Sequence, residues 1–269
     1  MTVKDTRQLL KGISRKMSPF EAPAPTPAPT PAPTVTKSNS MTRSRHQTTL
    51  VEKRVMEMII SKVDPTRQRP TKSISIEDYG NENVDHGFWF SLTAKEYAER
   101  TNGHEKTAYR DIEKAAKRLE EIIMRVTEGE KKISRPLIYK SIYVEGKGMI
   151  KVLFHPDFLP HLMELREKFT SYPLESAMKF RSTYAWRMYE VLLSIKNTQH
   201  KSITYKIDDL IEVLGMPESY KKYWSSTRST IEKAMQEITN FTDMVVTYTK
   251  NKENKKITSI TLHVEIQKR

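Results

Sequence analysis

Two stretches of the chain place cationic and hydroxyl side chains at helical spacing, a pattern suited to binding nucleic acid. In a helix predicted from about Glu105 to Leu119, the outward positions are Lys106, Thr107, Arg110, Lys114 and Lys117. Around a second helix, WSSTRSTIEKAMQEIT, the outward positions are Lys222, Ser225, Ser226, Ser229, Lys233 and Gln236, with Arg228 on the flank of this face. Long cations suit phosphates, whereas small hydroxyls let a helix lie close to base edges. We therefore expect the first helix to bind phosphates and the second to supply sequence specificity, with a solvated helix face as the alternative for any single residue.

A third basic region is a lysine-rich turn near the C-terminus. MVVTYT and ITSITLHVEI predict two strands, joined as a hairpin by KNKENKK. The lysines of this turn are Lys250, Lys252, Lys255 and Lys256. A hairpin tip of this charge is expected to follow phosphates beside a groove, and a solubilising turn is the alternative. Arg181 and Ser182 precede another predicted helix, whose N-terminal end is a further candidate for a phosphate contact.

The sequence contains no recognisable catalytic, nucleotide-binding or metal-binding motif. The absence of cysteine excludes disulfides, thiolate zinc sites and cysteine nucleophiles. There is no P-loop or GxGxxG motif, and no His-apolar-His pair of the kind that holds the metal of a rolling-circle nicking enzyme. His263-Val264-Glu265 has the nearest spacing, but it lies in an alternating strand without an apparent third ligand. We predict neither enzymatic activity nor a cofactor.

The composition points to a polyanionic partner. The 269 residues carry a formal net charge of +13, although acidic residues are plentiful. Nucleic acid is the first candidate partner for such a chain, and an anionic membrane surface is the second. No apolar run approaches the roughly 18 residues of a membrane span, and the N-terminus lacks the apolar core of a signal peptide. We expect a cytoplasmic protein.

The N-terminal region reads as a leader and a spacer. PFEAPAPTPAPTPAPT, residues 19–34, holds seven of the fourteen prolines, which favours an extended polyproline rod. Residues 1–46 are therefore predicted to be a basic leader and a Pro/Ala/Thr-rich linker, mostly disordered. Met41 lies just past the spacer, and it is an alternative to Met1 as the first translated residue.

Two sequence repeats indicate a duplicated domain. RVMEMIIS at 54–61 matches RMYEVLLS at 187–194 in chemical type at every position, and IEKA at 112–115 recurs at 231–234. Two repeats in the same order imply duplication rather than coincidence. Each copy continues as further helices and then a hairpin, which is the order of a winged helix. The predicted fold class is α+β, with two tandem winged-helix domains and a disordered Pro-rich leader.

The domain boundaries follow from these repeats. The first winged helix is assigned to residues 47–156 and the second to residues 176–269. A connecting helix is predicted at 157–175, where HPDFLPHLMELREKFTSYPLE lies between the two copies.

Local signals set the helix ends and the inward faces. Thr93 and Glu96 have the spacing of a capping box, and Asn102-Gly103 suits a left-handed helix end. Ile112 and Leu119 are predicted to face inward in the first copy. The inward positions of the second are Trp224, Thr227, Ile231, Ala234, Met235 and Ile238.

These segments resemble a known family. YAWRMYEVLLSIK, followed by a short strand and helix and then STIEKAMQEITNFTDMVVTY, resembles the second winged helix of iteron-binding plasmid replication initiators, the Rep_3 family. TTLVEKRVMEMIISKVD with LTAKEYAER resembles the first. The resemblance runs from about Gln47 to the C-terminus. It departs from the family at SSTRS, where relatives often carry arginines, and at Lys233, where proline is common.

The resemblance implies a function and partners. Such initiators bind directly repeated origin DNA, and as monomers they help to open adjacent A·T-rich DNA and recruit the host initiator and the replicative helicase. As dimers they typically repress their own gene, and the first domain is usually the dimer surface. The DNA-contacting helix of the family corresponds here to about Lys221–Lys233. A dimeric winged-helix transcriptional repressor without initiator activity is the alternative, and a membrane-surface adaptor is a third, less favoured possibility.

Overall fold

The computed structural model describes residues 32–68, 74–84, 87–199, 201–254 and 256–267. It begins with strand β1 (Thr34–Ser38) and a one-turn helix α1 (Asn39–Thr42). The prediction that residues 1–46 are mostly disordered is wrong for residues 34–46, because the β-branched run that starts at Thr34 forms a strand and the residues after it are largely buried. Residues 1–31 lie outside the described part of the chain.

The first domain packs helices against a three-stranded antiparallel sheet. Its elements are α2 (Leu50–Ile60), α3 (Ile76–Gly80), β2 (Trp89–Thr93), α4 (Ala94–Thr101), α5 (Glu105–Glu121), β3 (Ile123–Glu128), β4 (Lys131–Pro136), β5 (Ile138–Val144) and β6 (Met149–Phe154). The sheet has the strand order β2-β6-β5, and β3 pairs with β4 in a separate hairpin. The predicted capping box of α4 is confirmed, since Thr93 and Glu96 exchange both bonds, and Asn102 ends that helix at φ 51°.

The predicted connecting helix at 157–175 is wrong. The chain instead forms a 3₁₀ helix (Pro156–His161), a loop, strand β7 (Phe169–Pro173) and the short helix α6 (Leu174–Met178). Pro160 has no amide hydrogen to donate, and Glu164 and Lys168 adopt positive φ angles of 57° and 52°, so a regular helix cannot continue. β7 pairs antiparallel with β1, which was missed because the two strands lie far apart in sequence.

The second domain repeats the arrangement of the first. Its elements are α7 (Thr183–Leu193), β8 (Ser202–Lys206), α8 (Ile207–Leu214), a 3₁₀ helix (Glu218–Lys222), α9 (Trp224–Phe241), β9 (Met244–Glu253) and β10 (Lys256–Ile266). The strand order β8-β10-β9 matches β2-β6-β5. In each domain a strand leads into the second helix, and the third helix precedes the two-stranded wing. Two tandem winged helices related by duplication, as predicted from the sequence, are confirmed.

The two third helices bury equivalent residues. Ile112, Ala115 and Leu119 of α5 are at most 2% exposed, and their counterparts in α9 are at most 1% exposed. Those counterparts are Ile231, Ala234 and Ile238. Thr227 is also buried, as predicted, whereas Trp224 and Met235 are only half-buried. Trp224 is the first residue of α9 and lies at the open end of the helix, beside the exposed Tyr223.

The repeated glutamates meet in a buried ionic cluster. Glu57 of α2 and Glu190 of α7 are both fully buried, and Lys37 of β1 lies between them, with its Nζ 2.6 Å from an oxygen of each. Lys53 donates to the same two carboxylates, at 2.5 Å to Glu57 and 2.9 Å to Glu190. Arg187 lies 3.4 Å from Glu190. The cluster therefore joins the first helices of both domains through β1.

Three cations face two carboxylates in this cluster, so one positive charge has no partner of its own. Burial raises the pKa of Glu190, but Lys37, Lys53 and Arg187 outweigh burial and hold it well below its usual range. Burial lowers the pKa of Lys53 to about 8, with Lys37 and Arg187 adding to the effect. The pKa of Lys37 is instead raised, because Glu190 and Glu57 outweigh its burial. Of the two lysines, Lys53 is therefore the one whose charged form is disfavoured in the cluster.

A pH dependence of stability follows for Lys53. Its folded pKa of about 8 lies below the 10.5 of an exposed lysine. Between these values the unfolded chain binds the proton more tightly, so the free energy of unfolding rises with pH. We expect the wild-type chain to gain roughly 2 kcal/mol between pH 8 and 10 relative to the Lys53→Met variant. Urea unfolding at pH 7, 8, 9 and 10 measures this difference. Lys62→Met should follow the wild type, and parallel curves for Lys53→Met and the wild type would contradict the assignment.

Candidate nucleic-acid interface

The outward face of α5 is cationic, as the sequence predicts. Lys106, Thr107, Arg110 and Lys114 are all exposed, while Ala108 and Ile112 turn inward between them. No described side chain forms an ion pair with Lys106, Arg110 or Lys114, whereas Lys117, also exposed, pairs with Glu113 at 3.2 Å. The face is therefore free to receive anions.

The outward face of α9 carries hydroxyls at the same positions. When Ile112 is aligned with Ile231, four positions of α5 face four of α9. The resulting pairs are Lys106 with Ser225, Thr107 with Ser226, Arg110 with Ser229 and Lys114 with Lys233. All four α9 residues are exposed, as are Arg228 and Lys222, the latter at the end of the preceding 3₁₀ helix. The two faces differ at Lys106/Ser225 and Arg110/Ser229, where a long cation of α5 is replaced by a short hydroxyl in α9.

Arg228 is the one predicted α9 cation that carries a described intramolecular ion pair. Its Nε lies 2.8 Å from Glu232, which also accepts a 2.9 Å bond from Tyr248 of β9. The bond from Arg228 lowers the pKa of Glu232, with Tyr248 adding to the effect, and the bond to Glu232 raises the pKa of Arg228. This triad fixes α9 against the wing, so Arg228 is less available for a ligand than Lys233.

The C-terminal lysines lie on strands rather than in a loop. β9 continues to Glu253 and β10 begins at Lys256, so the predicted seven-residue turn is much shorter. Lys250 and Lys252 are exposed and share one face of β9 with Tyr248, which contacts α9. Lys256 is exposed at the start of β10, and Lys255 lies outside the described residues. The wing thus continues the cationic surface beside α9.

Comparison with known proteins identifies the family. The family described as "Initiator Replication protein, WH1" matches residues 34–193, which is more than half of the chain. The family described as "Initiator Rep protein, WH2" matches residues 206–264. The chain belongs to the initiator replication protein family. The resemblance predicted from the sequence is confirmed, and the first match includes β1, which the sequence analysis had placed in the leader.

Solved structures of other proteins resemble this initiator family member. The crystal structure of the Pi initiator protein in complex with iteron DNA is 18% identical, covering 88% of this chain and 99% of that chain with a TM-score of 0.66. The WH1 domain of MSBI1.176, a replication protein isolated from a multiple sclerosis patient, is 18% identical over 28% of this chain and 60% of that one, at a TM-score of 0.24. Domains 2 and 3 of RctB are 12% identical over 68% of this chain and 76% of that one, at 0.42. The first structure supports the two-domain fold. The TM-scores of the other two are too low to support a conclusion about the fold.

Arg181 and Ser182 of this initiator family member are less open than the sequence suggests. The Ser182 hydroxyl accepts from the amide of Tyr184 and so caps α7. The amide of Arg181 donates to Glu237 of α9 at 3.0 Å. Both groups therefore have partners within the chain, and only the exposed Arg181 side chain is left for an anion.

Tyr223 is a residue of this surface that the sequence analysis missed. It precedes α9, and its side chain is 66% exposed, more than any other large apolar or aromatic side chain in the described residues. Its neighbours are Lys222 and the half-buried Trp224. Periodicity gives no signal here, because Tyr223 lies just outside the helix.

No metal centre is found in the part of the chain that the structure describes. No group of three or more His, Cys, Asp or Glu residues is placed to hold a metal ion there. His263 lies on the surface of β10 and contacts Thr249 of β9 at 3.2 Å, while Val264 points into the core. Among the described helices, none is long and apolar enough to span a membrane.

Proposed function

We propose that this protein is a plasmid replication initiator that binds directly repeated origin DNA, the iterons, through both winged helices. It promotes opening of the adjacent origin, recruits the host initiator and replicative helicase in the cytoplasm, and represses its own gene as a dimer. The observation that carries the proposal is the pair of equivalent third helices, each with an exposed polar face, in a chain of the initiator replication protein family.

The division of labour follows the chemistry of the two faces. Lys106, Arg110 and Lys114 on α5 carry long cations suited to phosphates, which position a protein without reading sequence. Ser225, Ser226 and Ser229 on α9 are short, so the helix backbone can lie deep in a major groove while Lys233 reaches a base edge. Lys250, Lys252 and Lys256 of the wing contact the phosphates beside that groove. Tyr223 is exposed at the N-terminal end of α9. The first domain also supplies the dimer surface.

A transformation assay tests the initiator function. A plasmid whose only origin carries direct repeats should replicate when this protein is supplied in trans, and should be lost when it is absent. A matched plasmid with scrambled repeats controls for other origins. Repression of a reporter by a protein that never supports replication would favour the dimeric repressor instead. A protein that prefers anionic vesicles to duplex DNA would contradict both.

Variants at equivalent helix positions test the division of labour. Arg110→Ala and Lys114→Ala should weaken binding to the repeat and to random duplex by the same factor, because phosphates are present in both. Ser229→Ala and Lys233→Ala should weaken binding to the repeat alone, by about 1 to 3 kcal/mol for each lost base contact. Fluorescence anisotropy with both duplexes at one salt concentration gives, for each variant, the ratio of the affinity for the repeat to the affinity for random duplex.

The pairing of positions makes this comparison internally controlled. Lys114 and Lys233 are both exposed lysines at the same place in the repeat, so their replacement removes the same charge from the same helix position. Equal losses on repeat and random DNA from both variants would show that the two domains have been assigned wrongly.

A further inference from the structure

Residues 34–47, which comprise β1, α1 and the residues after α1, form a segment, here called the strap, that contacts both winged helices before the chain enters α2. It starts as β1, which pairs with β7 from Thr34↔Pro173 to Ser38↔Phe169. Its interior is buried: Val35 and Ser44 are at most 1% exposed, and Lys37 and His46 at most 5%. A segment this buried cannot be moved without exposing apolar surface and charge.

The strap bonds to the second domain along most of its length. Lys37 binds Glu190, Arg43 Nε donates to Ser194 Oγ at 3.0 Å, and Arg187 donates to the carbonyl of Ser44. Further along, Arg45 binds Asp209 at 2.8 Å and Glu212 at 2.7 Å, and the Gln47 side chain donates to the carbonyl of Met216 at 3.0 Å. These contacts run from α7 to Met216, in the turn that follows α8. Only the 3₁₀ helix and Tyr223 lie between this turn and α9.

The same residues also bind the first domain. Lys37 binds Glu57 of α2, and Arg45 exchanges backbone bonds of 2.8 and 3.0 Å with Arg125 of β3. β3 directly follows α5. Lys37 and Arg45 thus each bridge the two domains, one near the first helices and the other near the third helices.

The end of α8 is shaped to receive the strap. Gly215 has φ +72°, and a Cβ added there would lie 2.5 Å from the carbonyl oxygen of His46. The absence of a side chain lets the strap backbone approach the turn between α8 and the 3₁₀ helix that precedes α9. The fit is therefore specific rather than a loose contact.

We propose that the strap sets the separation and orientation of α5 and α9, and with them the spacing of the two DNA segments that the protein accepts. This rests on the proposed function, in which both helices bind one duplex. Lys37, Arg43 and Arg45 are its positioning residues, since Lys37 and Arg45 bridge the domains, Arg43 binds the strap to Ser194 of the second domain, and none lies on the outward faces of α5 or α9.

A three-residue variant tests the proposal in the full-length chain. The strap variant is Lys37→Met with Arg43→Ala and Arg45→Ala. The control is Lys62→Met with Arg100→Ala and Arg135→Ala, which also removes one lysine and two arginines, all of them from ion pairs that include no strap residue and no residue of α5 or α9. Both variants lose the same charge, so a general weakening of DNA binding cancels in their comparison.

The first measurement needs no DNA. Because the chain has no cysteine, Glu130→Cys and Asn240→Cys place one spin label on an exposed site of each domain. Electron-electron resonance should give one narrow distance for the wild type and the control, and a broader distribution for the strap variant. Equal distributions would overturn the proposal. If circular dichroism shows that the triple variant does not fold, the double variant Arg43→Ala with Arg45→Ala is measured instead, with the same expected broadening and the same overturning result.

The second measurement uses DNA spacing. The duplex is the one that the wild-type protein enriches from a random library, and a companion has two base pairs inserted at its centre. The insertion rotates one half by roughly 70°, since a turn holds about 10.5 base pairs. The wild type and control should bind the companion at least about tenfold more weakly, the size of a lost base contact. The strap variant should bind the companion less than about threefold more weakly than the enriched duplex.

The two measurements separate two kinds of failure. A wild type that enriches no duplex would defeat the proposed function, and the label distances would still decide the role of the strap. A wild type that reads the spacing, together with a strap variant that reads it equally well, would defeat the strap and leave the function standing.

Discussion

Glu190→Gln is expected to lower the free energy of unfolding by about 3 to 5 kcal/mol, the usual cost of removing one partner from a buried ion pair. Glu190 is fully buried and accepts bonds from Lys37, Lys53, Arg187 and Tyr172. The neutral amide would leave three buried cations with only Glu57 to balance them. Urea unfolding followed by circular dichroism at neutral pH measures the loss.

Two companion variants show whether charge is the cause. Glu232→Gln is the control, because Glu232 likewise accepts from a cation and a tyrosine but is exposed, and its loss should be far smaller. Adding Lys37→Met to Glu190→Gln returns the cluster to one excess positive charge, so the double variant should be more stable than the single one. A double variant less stable than Glu190→Gln would mean that packing, not charge balance, governs the site.

The repeat could be found in the sequence, but the contact between its two copies could not. RVMEMIIS and RMYEVLLS show that Glu57 and Glu190 are equivalent, and a glutamate among apolar residues already suggests a buried charge. That the two carboxylates share Lys37 depends on β1 lying between the domains, which is a contact across 153 residues. No local pattern carries that information.

Features fixed by neighbouring residues were predicted well. The capping box at Thr93, the helix end at Asn102 and the alternation of buried and exposed positions on α5 and α9 each depend on residues within one or two turns. The predicted outward residues of both helices are exposed for the same reason. Trp224 and Met235 are the exceptions, since periodicity predicts both to face inward and both are only half-buried.

Features fixed by distant partners were predicted poorly. β2 is not predicted from the sequence, because WFSLT alone is too short to signal a strand, and it is completed by pairing with β6. The strap follows a proline-rich spacer. Thr34–Ser38 was assigned to the disordered leader and linker because these residues directly follow the proline-rich stretch. The strand needs β7, which lies more than 130 residues later.

Affinity for duplex DNA is expected to fall roughly 10⁴-fold between 50 and 200 mM salt, because each neutralised phosphate contributes about 0.9 to the slope of log affinity against log salt. Eight exposed cations assigned to phosphate contacts, on α5, before α7, in the 3₁₀ helix and on the wing, form no ion pair with any described residue. They are Lys106, Arg110, Lys114, Arg181, Lys222, Lys250, Lys252 and Lys256. Eight phosphate contacts give a slope of roughly −7.

Replacing part of this set should change the slope in proportion. The triple variant Lys106→Ala, Arg110→Ala and Lys114→Ala should reduce the magnitude of the slope by about 2.7, since three phosphate contacts are lost. Lys62→Met is the control, because Lys62 is paired with Glu96 and belongs to neither third helix, so its slope should equal that of the wild type. Anisotropy titrations at five salt concentrations give all three slopes. A wild-type slope shallower than about −3, or a triple variant with an unchanged slope, would mean that α5 does not lie along the phosphates and that the second domain binds DNA alone.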